Sequence, residues 1–100
     1  MRVLVLFAGV VCAAPIVADA ADQTTARNLA ATCANCHGTD GRSVTEAVAP
    51  LAGKPKDEIV KLMQAFKTGK KPATVMHQIS KGYTDQQIEL VAGYLAGQPK

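Results

Sequence analysis

Cys33-Ala34-Asn35-Cys36-His37 is the stretch on which the rest of the chain turns. Two cysteines three positions apart, followed at once by a histidine, form the attachment signature of a c-type haem. Each thiol can add across one of the two haem vinyl groups, giving two thioether links. Two intervening residues let one turn of backbone present both sulfurs to the same porphyrin edge. The histidine then lies under the ring, where a ring nitrogen can bind iron as the proximal ligand. Cys33 and Cys36 are therefore candidates for covalent haem attachment, and His37 for one axial ligand. A structural disulfide and half of a zinc site are the competing readings of such a cysteine pair. Zinc needs about four ligands, and beyond the expected leader the chain offers only Cys33, Cys36, His37 and His77. A thioredoxin-like site would sit in a βαβ pattern, which the sequence lacks.

The chain has 100 residues and a net charge of +3, enough for one small domain. It starts Met1-Arg2, runs apolar from Val3 to Ala14 and reaches Ala18-Asp19-Ala20. A charged start, a short apolar run and a small-x-small site predict a secretory signal peptide over residues 1–20, cut near Ala20. Export to the periplasm and a domain over residues 21–100 follow. The apolar run is too short for a good membrane span, so no stable membrane insertion is expected after cleavage. An uncleaved anchor is the other reading. A lipid-modified Cys12 fits less well, because Gly9-Val10-Val11 is a poor lipoprotein-type match. Cleavage removes Cys12, so both remaining thiols belong to the motif. It also removes one basic and one acidic residue, Arg2 and Asp19, which leaves the charge at +3. A core this small is marginal alone, and a covalent haem would supply apolar surface for it to pack on.

Periodicity predicts helices and no strands. A short helix is expected over 24–32, with Ala26, Leu29, Ala30 and Cys33 near one face, after a frayed start at 21–24. Gly38 to Ser43 is turn chemistry, and 44–54 reads as an irregular loop whose Val44, Val48 and Leu51 are candidates to cover a haem face. The Pro50 carbonyl is a candidate acceptor for the His37 ring N–H, a partner that ligand histidines commonly have; Pro50 as a mere turn residue is the alternative. Pro55 opens a second helix over about 55–68, with Asp57 and Glu58 at its positive end and Ile59, Leu62, Met63 and Phe66 as a buried stripe. Thr74 is a candidate cap for a short third helix carrying Val75, Met76 and Ile79. Thr84 with Gln87 fits a capping box, and Tyr83 with Ile88 a hydrophobic staple, opening a last helix over about 85–96. Its stripe is Ile88, Val91, Ala92 and Leu95. Gly93 weakens that helix, which a close helix crossing would explain.

The second axial ligand is a choice among three residues. A thioether favours ferrous iron and raises the potential, as an electron carrier needs. Met63 lies inside an apolar stripe, where methionine is most simply core filler. Met76 lies beyond the Pro72 break, with enough chain after His37 to reach the far haem face, and is the preferred ligand. His77 is the rival. Successive helical residues point about 100° apart, so Met76 and His77 cannot both face the iron.

With these residues in place, the sequence resembles the class I cytochromes c. The resemblance rests on Cys33 to His37, Pro50-Leu51-Ala52-Gly53, Met76, and the closing helix with Ile88, Gly93, Tyr94 and Leu95. It implies an all-α fold of about four short helices wrapped around one covalently bound haem c, with Pro50 and Leu51 in the haem pocket. Leu29 to Gly38 and Thr74 to Asp85 are similar in particular to the haem subunit of flavocytochrome c sulfide dehydrogenases. That resemblance implies a periplasmic FAD flavoprotein as sulfide-oxidising partner and electron donor, and a soluble electron acceptor. The sulfide chemistry would lie on the flavin subunit, so no catalysis is expected from this chain alone. A free monohaem shuttle is the alternative. A ligand-binding or peroxidatic haem protein would need an open sixth site, against which Met76 argues. Lys54, Lys56, Lys61, Lys67, Lys70, Lys71 and Lys81 make the middle of the chain basic. An ordinary solvated face is the preferred account, with docking to an acidic partner as the functional one. Nothing points to nucleic acid, since no basic helix carries base-reading side chains.

Overall fold

The computed structural model describes residue 9 and residues 17–100, with side chains from residue 22 onward. Within the expected leader over residues 1–20, residues 1–8 and 10–16, Cys12 included, lie outside the described residues. Helices α1 (Val17–Ala30), α2 (Ala34–His37), α3 (Lys56–Lys67), α4 (Met76–Lys81) and α5 (Asp85–Ala96) follow in order. Three-residue 3-10 turns lie at Ala31–Cys33 and Thr39–Gly41, and no strand occurs among the described residues. The four expected helical stretches are thus present, with one further turn of helix on the cysteine motif itself.

Helix α1 starts earlier than the frayed entry predicted for 21–24. Alanines are dense across Ala18 to Ala30 and neither Gly nor Pro interrupts, so propensity favours continuing the helix upstream. It does not stop at the motif either. Ala30, Cys33 and Ala34 all keep right-handed helical torsions, so the chain tightens briefly and spirals directly onto Cys33–His37. Gly38 ends this run at φ +80°. A Cβ there would collide with the Arg42 carbonyl, so the exit from the motif requires glycine.

Helix α5 begins where its capping signal places it. Gln87 N–H donates to Thr84 Oγ1 at 3.1 Å and Thr84 N–H to Gln87 Oε1 at 2.9 Å. Helix α3 has Pro55 as its N-cap, Asp57 and Glu58 in its first turn and Lys67 in its last. The cap expected at Thr74 is not made: α4 opens on Val75, with no side-chain cap bond.

Packing gathers these helices around one core of Ala30, Ile59, Met63, Ile88, Val91, Ala92 and Leu95. Helix α5 packs on both α1 and α3, and α4 packs on α3. All four stripe residues predicted for α5 are buried. In α3 the buried positions are Ile59 and Met63, while Leu62 and Phe66 are half-buried. Gly93 departs from expectation. It is exposed, and the described atoms nearest to a Cβ built on it are Lys56 Cδ and Cε at 3.9 Å, an ordinary contact. The small residues buried in α1 and α5, which pack together, are Ala26 and Ala30 of α1 and Ala92 of α5. Gly93→Ala is therefore expected to stabilise the fold by about 1 kcal/mol, through helix propensity, read as a higher melting temperature.

Candidate haem site

The site is built from the motif helix and the loop that folds back under it. Cys33 is half-buried against the core, Cys36 is exposed, and both are free thiols. Burial pushes the Cys33 thiol above its ordinary pKa, a shift only partly offset by a hydrogen bond with Thr32. His37 closes the turn, and its Nδ1 lies 2.7 Å from the carbonyl oxygen of Ala49. A carbonyl only accepts, so Nδ1 carries the proton and Nε2 keeps its lone pair free for a metal.

The acceptor is Ala49 and not Pro50, one residue earlier than the sequence suggested. A residue preceding proline is kept out of the helical region, and here it is that residue's carbonyl that meets the imidazole. Pro50 itself lines a shallow hollow with Arg42, Ser43, Ala52, Lys54 and Pro55, which contains none of the motif residues. A second hollow runs between α1 and α5, past Arg27, Glu89 and Tyr94, and also excludes the motif. Neither hollow therefore contains Cys33, Cys36, His37 or Met76.

Backbone bonds hold the loop in place. Leu51 and Ala52 N–H groups both donate to the Gly41 carbonyl, at 2.8 and 3.1 Å, and Gly53 N–H donates to Leu95 O at 3.0 Å. Gly41 has φ +79°, and a Cβ on it would lie 2.8 Å from Ala52 N and 3.0 Å from Leu51 Cβ. Leu51 packs half-buried against the core. Val48 is half-buried, whereas Val44 stands 96% exposed at the loop tip.

Asp40, between motif and loop, is a non-glycine residue at φ 54°, a region that aspartate tolerates better than most residues. Tyr94 donates to its Oδ1 at 2.6 Å and Arg42 lies 3.5 Å from its Oδ2. The bond to Asp40, with lesser contributions from burial and from the Asp40 charge, raises the Tyr94 pKa. A raised pKa in the folded state stabilises the fold below the ordinary tyrosine pKa of about 10, and that contribution is lost as pH rises through the folded value. Wild type is therefore expected to exceed Tyr94→Phe in stability at neutral pH by about 1 kcal/mol. The gap should close above pH ~10, measured by denaturant melts across pH.

Helix α4 supplies the facing candidates. Met76 opens it and is half-buried against the core. His77 is half-buried, and its Nδ1 is buried without a hydrogen bond. Met63 is 8% exposed, and its sulfur accepts from the buried Ser80 hydroxyl at 3.6 Å, as expected of core filler. No three of His, Cys, Asp or Glu gather to hold a metal ion among the described residues, so the zinc alternative lacks a ligand set. Helix α3 is tied to the entry of α5: Gln64 and Lys67 both donate to Asp85 Oδ1, at 2.9 and 3.1 Å, and together hold that carboxyl below its ordinary pKa.

Ala49, Asp40, Tyr83 and Tyr94 were not legible as site residues. A tyrosine within an otherwise apolar pattern, whose hydroxyl needs a partner when buried, was the available signal for the last two. The basic middle is also reduced. Lys54, Lys56 and Lys67 pair with Glu58, Glu89 and Asp85, while Lys71 lies over the Phe66 ring at 5.9 Å. Among the described residues no helix is long and apolar enough to cross a membrane.

Residues 20–95 match the protein family described as cytochrome c oxidase, cbb3-type, subunit III. The chain is 39% identical to the cytochrome subunit of sulfide dehydrogenase from Chlorobaculum tepidum, over 72% of this chain and 64% of that protein. It is 33% identical to cytochrome c4 of Pseudomonas aeruginosa, over 79% of this chain and 39% of that protein. It is 32% identical to cytochrome c-553 of Desulfomicrobium norvegicum, over 70% of this chain and 90% of that protein. The chain thus spans less than two thirds of the first two relatives. The chain belongs to this family of cytochrome c domains.

Proposed function

We propose that Cys33 and Cys36 hold one haem c through thioether bonds, that His37 Nε2 and Met76 Sδ are its axial ligands, and that the chain is the haem subunit of a periplasmic sulfide-oxidising flavoprotein complex. The observation that carries the ligand reading is the His37 Nδ1 bond to Ala49, which fixes the tautomer with Nε2 free at the end of the motif helix. The donor set also fits the group: two thiols one turn apart, an imidazole and a thioether are what a low-spin haem c takes up. Haem supplies a one-electron ferric–ferrous couple when bound. The chain's part is to orient the His37 ring through Ala49 O so that Nε2 is the nitrogen left for iron, to offer a soft sulfur that favours the ferrous state, and to exclude water with Leu51 and its neighbours. This assignment leaves Pro50 with the backbone of the loop and not with the iron ligands.

The partner reading is supported by the likeness to the Chlorobaculum tepidum subunit. A flavoprotein would deliver electrons one at a time, and the chain would pass them to a soluble acceptor. Sulfide oxidation itself would stay on the flavin. Lys61, Lys70, Lys71 and Lys81 make no ion pair among the described residues and are exposed, so they are the lysines left to meet an acidic surface. Export through the leader over residues 1–20 belongs to the same proposal. The test is purification from the native periplasm with absorption spectra. A stoichiometric partner carrying flavin absorption supports the complex, and a haem protein that elutes alone contradicts it. One observation favours a free monohaem shuttle instead: the chain spans 90% of cytochrome c-553.

A further inference from the structure

We propose that Tyr83 is a positioning residue that sets the separation between the cysteine motif and the arm carrying Met76. The inference rests on the reading of Met76 as the second axial ligand.

Tyr83 lies between α4 and α5 and packs half-buried on the core. Its hydroxyl is 2.5 Å from Thr32 Oγ1 and 3.3 Å from Leu29 O. Thr32 donates its own hydroxyl proton to Leu29 O at 3.1 Å. Each hydroxyl has one proton to give, so the phenol proton goes to the nearer acceptor, Thr32 Oγ1. The result is a relay from Tyr83 to Thr32 to the last turn of α1. Thr32 is the residue immediately before Cys33, so the relay ends on the motif.

The backbone of the same residue grips the ligand arm. Tyr83 N–H donates to Ser80 O at 3.2 Å, within α4. Its carbonyl accepts from Lys67 Nζ at 2.7 Å, from the last turn of α3. Ser80 is fully buried, and its hydroxyl reaches Met63. Helix α4 is therefore pinned at its C-terminal end. At the other end Val75 makes no side-chain cap bond, and that end carries Met76. Six residues of helix span about 9 Å. Where Met76 sits relative to the motif is thus fixed by where Tyr83 holds the far end of that short rod. Removing the phenol hydroxyl touches no ligand, but it releases the arm and populates a form with Met76 off the iron.

An added ligand reads that population directly, because its apparent affinity scales with the fraction of protein that is competent to bind it. Haem-loaded wild type, Tyr83→Phe, Thr32→Val and the double variant are titrated with imidazole. The sulfur-to-iron charge-transfer band reports displacement of the thioether. Each single variant is expected to bind imidazole about tenfold more tightly, the scale of one lost hydrogen bond. The double variant should bind no more tightly than the tighter single, because both changes remove the same bond. Thr32→Val keeps the ring in the core, so the bond is tested even where Tyr83→Phe disturbs packing. Val91→Ala, which loosens the core but removes no hydrogen bond of the relay, should leave imidazole affinity near wild type. Unchanged affinity in both single variants, independent effects that multiply in the double, or an equal rise in Val91→Ala overturns the proposal. Met76→Ala separates the two readings. If it lacks the band while Tyr83→Phe binds imidazole as wild type does, the Tyr83 role alone is wrong. If it keeps the band, both are wrong.

Discussion

A protein with Cys33→Ala and Cys36→Ala is expected to carry no covalent haem and to lose most of its fixed helical structure. The core explains why. Of its seven buried members two are alanines, and the large side chains are only Ile59, Met63, Ile88, Val91 and Leu95. Hydrophobic burial of that size leaves little surplus over chain entropy in a domain this short. Leu29, Cys33, Leu51, Val60, Met76, Tyr83 and Tyr94 pack against the core but are only half-buried, and Val75 and Ile79 are more than 40% exposed. A covalently held porphyrin would offer these apolar side chains further surface to pack on, so fold and cofactor stand together. Helical circular dichroism should fall to about half of the haem-loaded signal or less. A near-native spectrum from the double variant would show that the polypeptide needs no haem to fold.

The second large effect is expected at Gly41. Alanine there must adopt φ near +79° and place its Cβ 2.8 Å from a backbone nitrogen. The first problem costs about 1–2 kcal/mol, and the second cannot be relieved by a rotamer change, because Ala52 N is itself bonded to Gly41 O. A total near 3 kcal/mol is expected, a large share of the about 5–15 kcal/mol that stabilises a typical domain. The same substitution at Gly93 is expected to stabilise. The pair of variants isolates the backbone from side-chain chemistry, since both change a hydrogen to a methyl. Denaturant melts of the haem-loaded proteins provide the comparison, and equal effects of like sign would refute the account of the loop.

Much of this was legible because the signals are local. The Thr84–Gln87 box spans four residues, the α3 and α5 stripes repeat every three or four, and the cysteine motif occupies five. What stayed hidden depends on residues far apart in sequence. Tyr83 meets Thr32 across 51 positions and Tyr94 meets Asp40 across 54, and no periodic pattern carries such pairings. The slip from Ala49 to Pro50 has a different origin: sequence places a turn near the histidine, but only backbone torsions decide which carbonyl faces it. Gly93 misled because a glycine in a helix suggests a crossing, while here it is exposed and the small buried residues are Ala26, Ala30 and Ala92. The lysines read as one basic field until Glu58, Glu89 and Asp85 were found beside three of them.

The central claim is that one haem c is held by Cys33 and Cys36 between His37 and Met76. Absorption spectra of the wild-type and Met76→Ala proteins test it most directly. The wild type should retain its haem after denaturation and acid–acetone extraction, and its oxidised form should show the sulfur-to-iron charge-transfer band. Met76→Ala should keep the covalent haem and lose that band, with a lower reduction potential. Extractable haem in the wild type, or an intact band in Met76→Ala, would contradict the account.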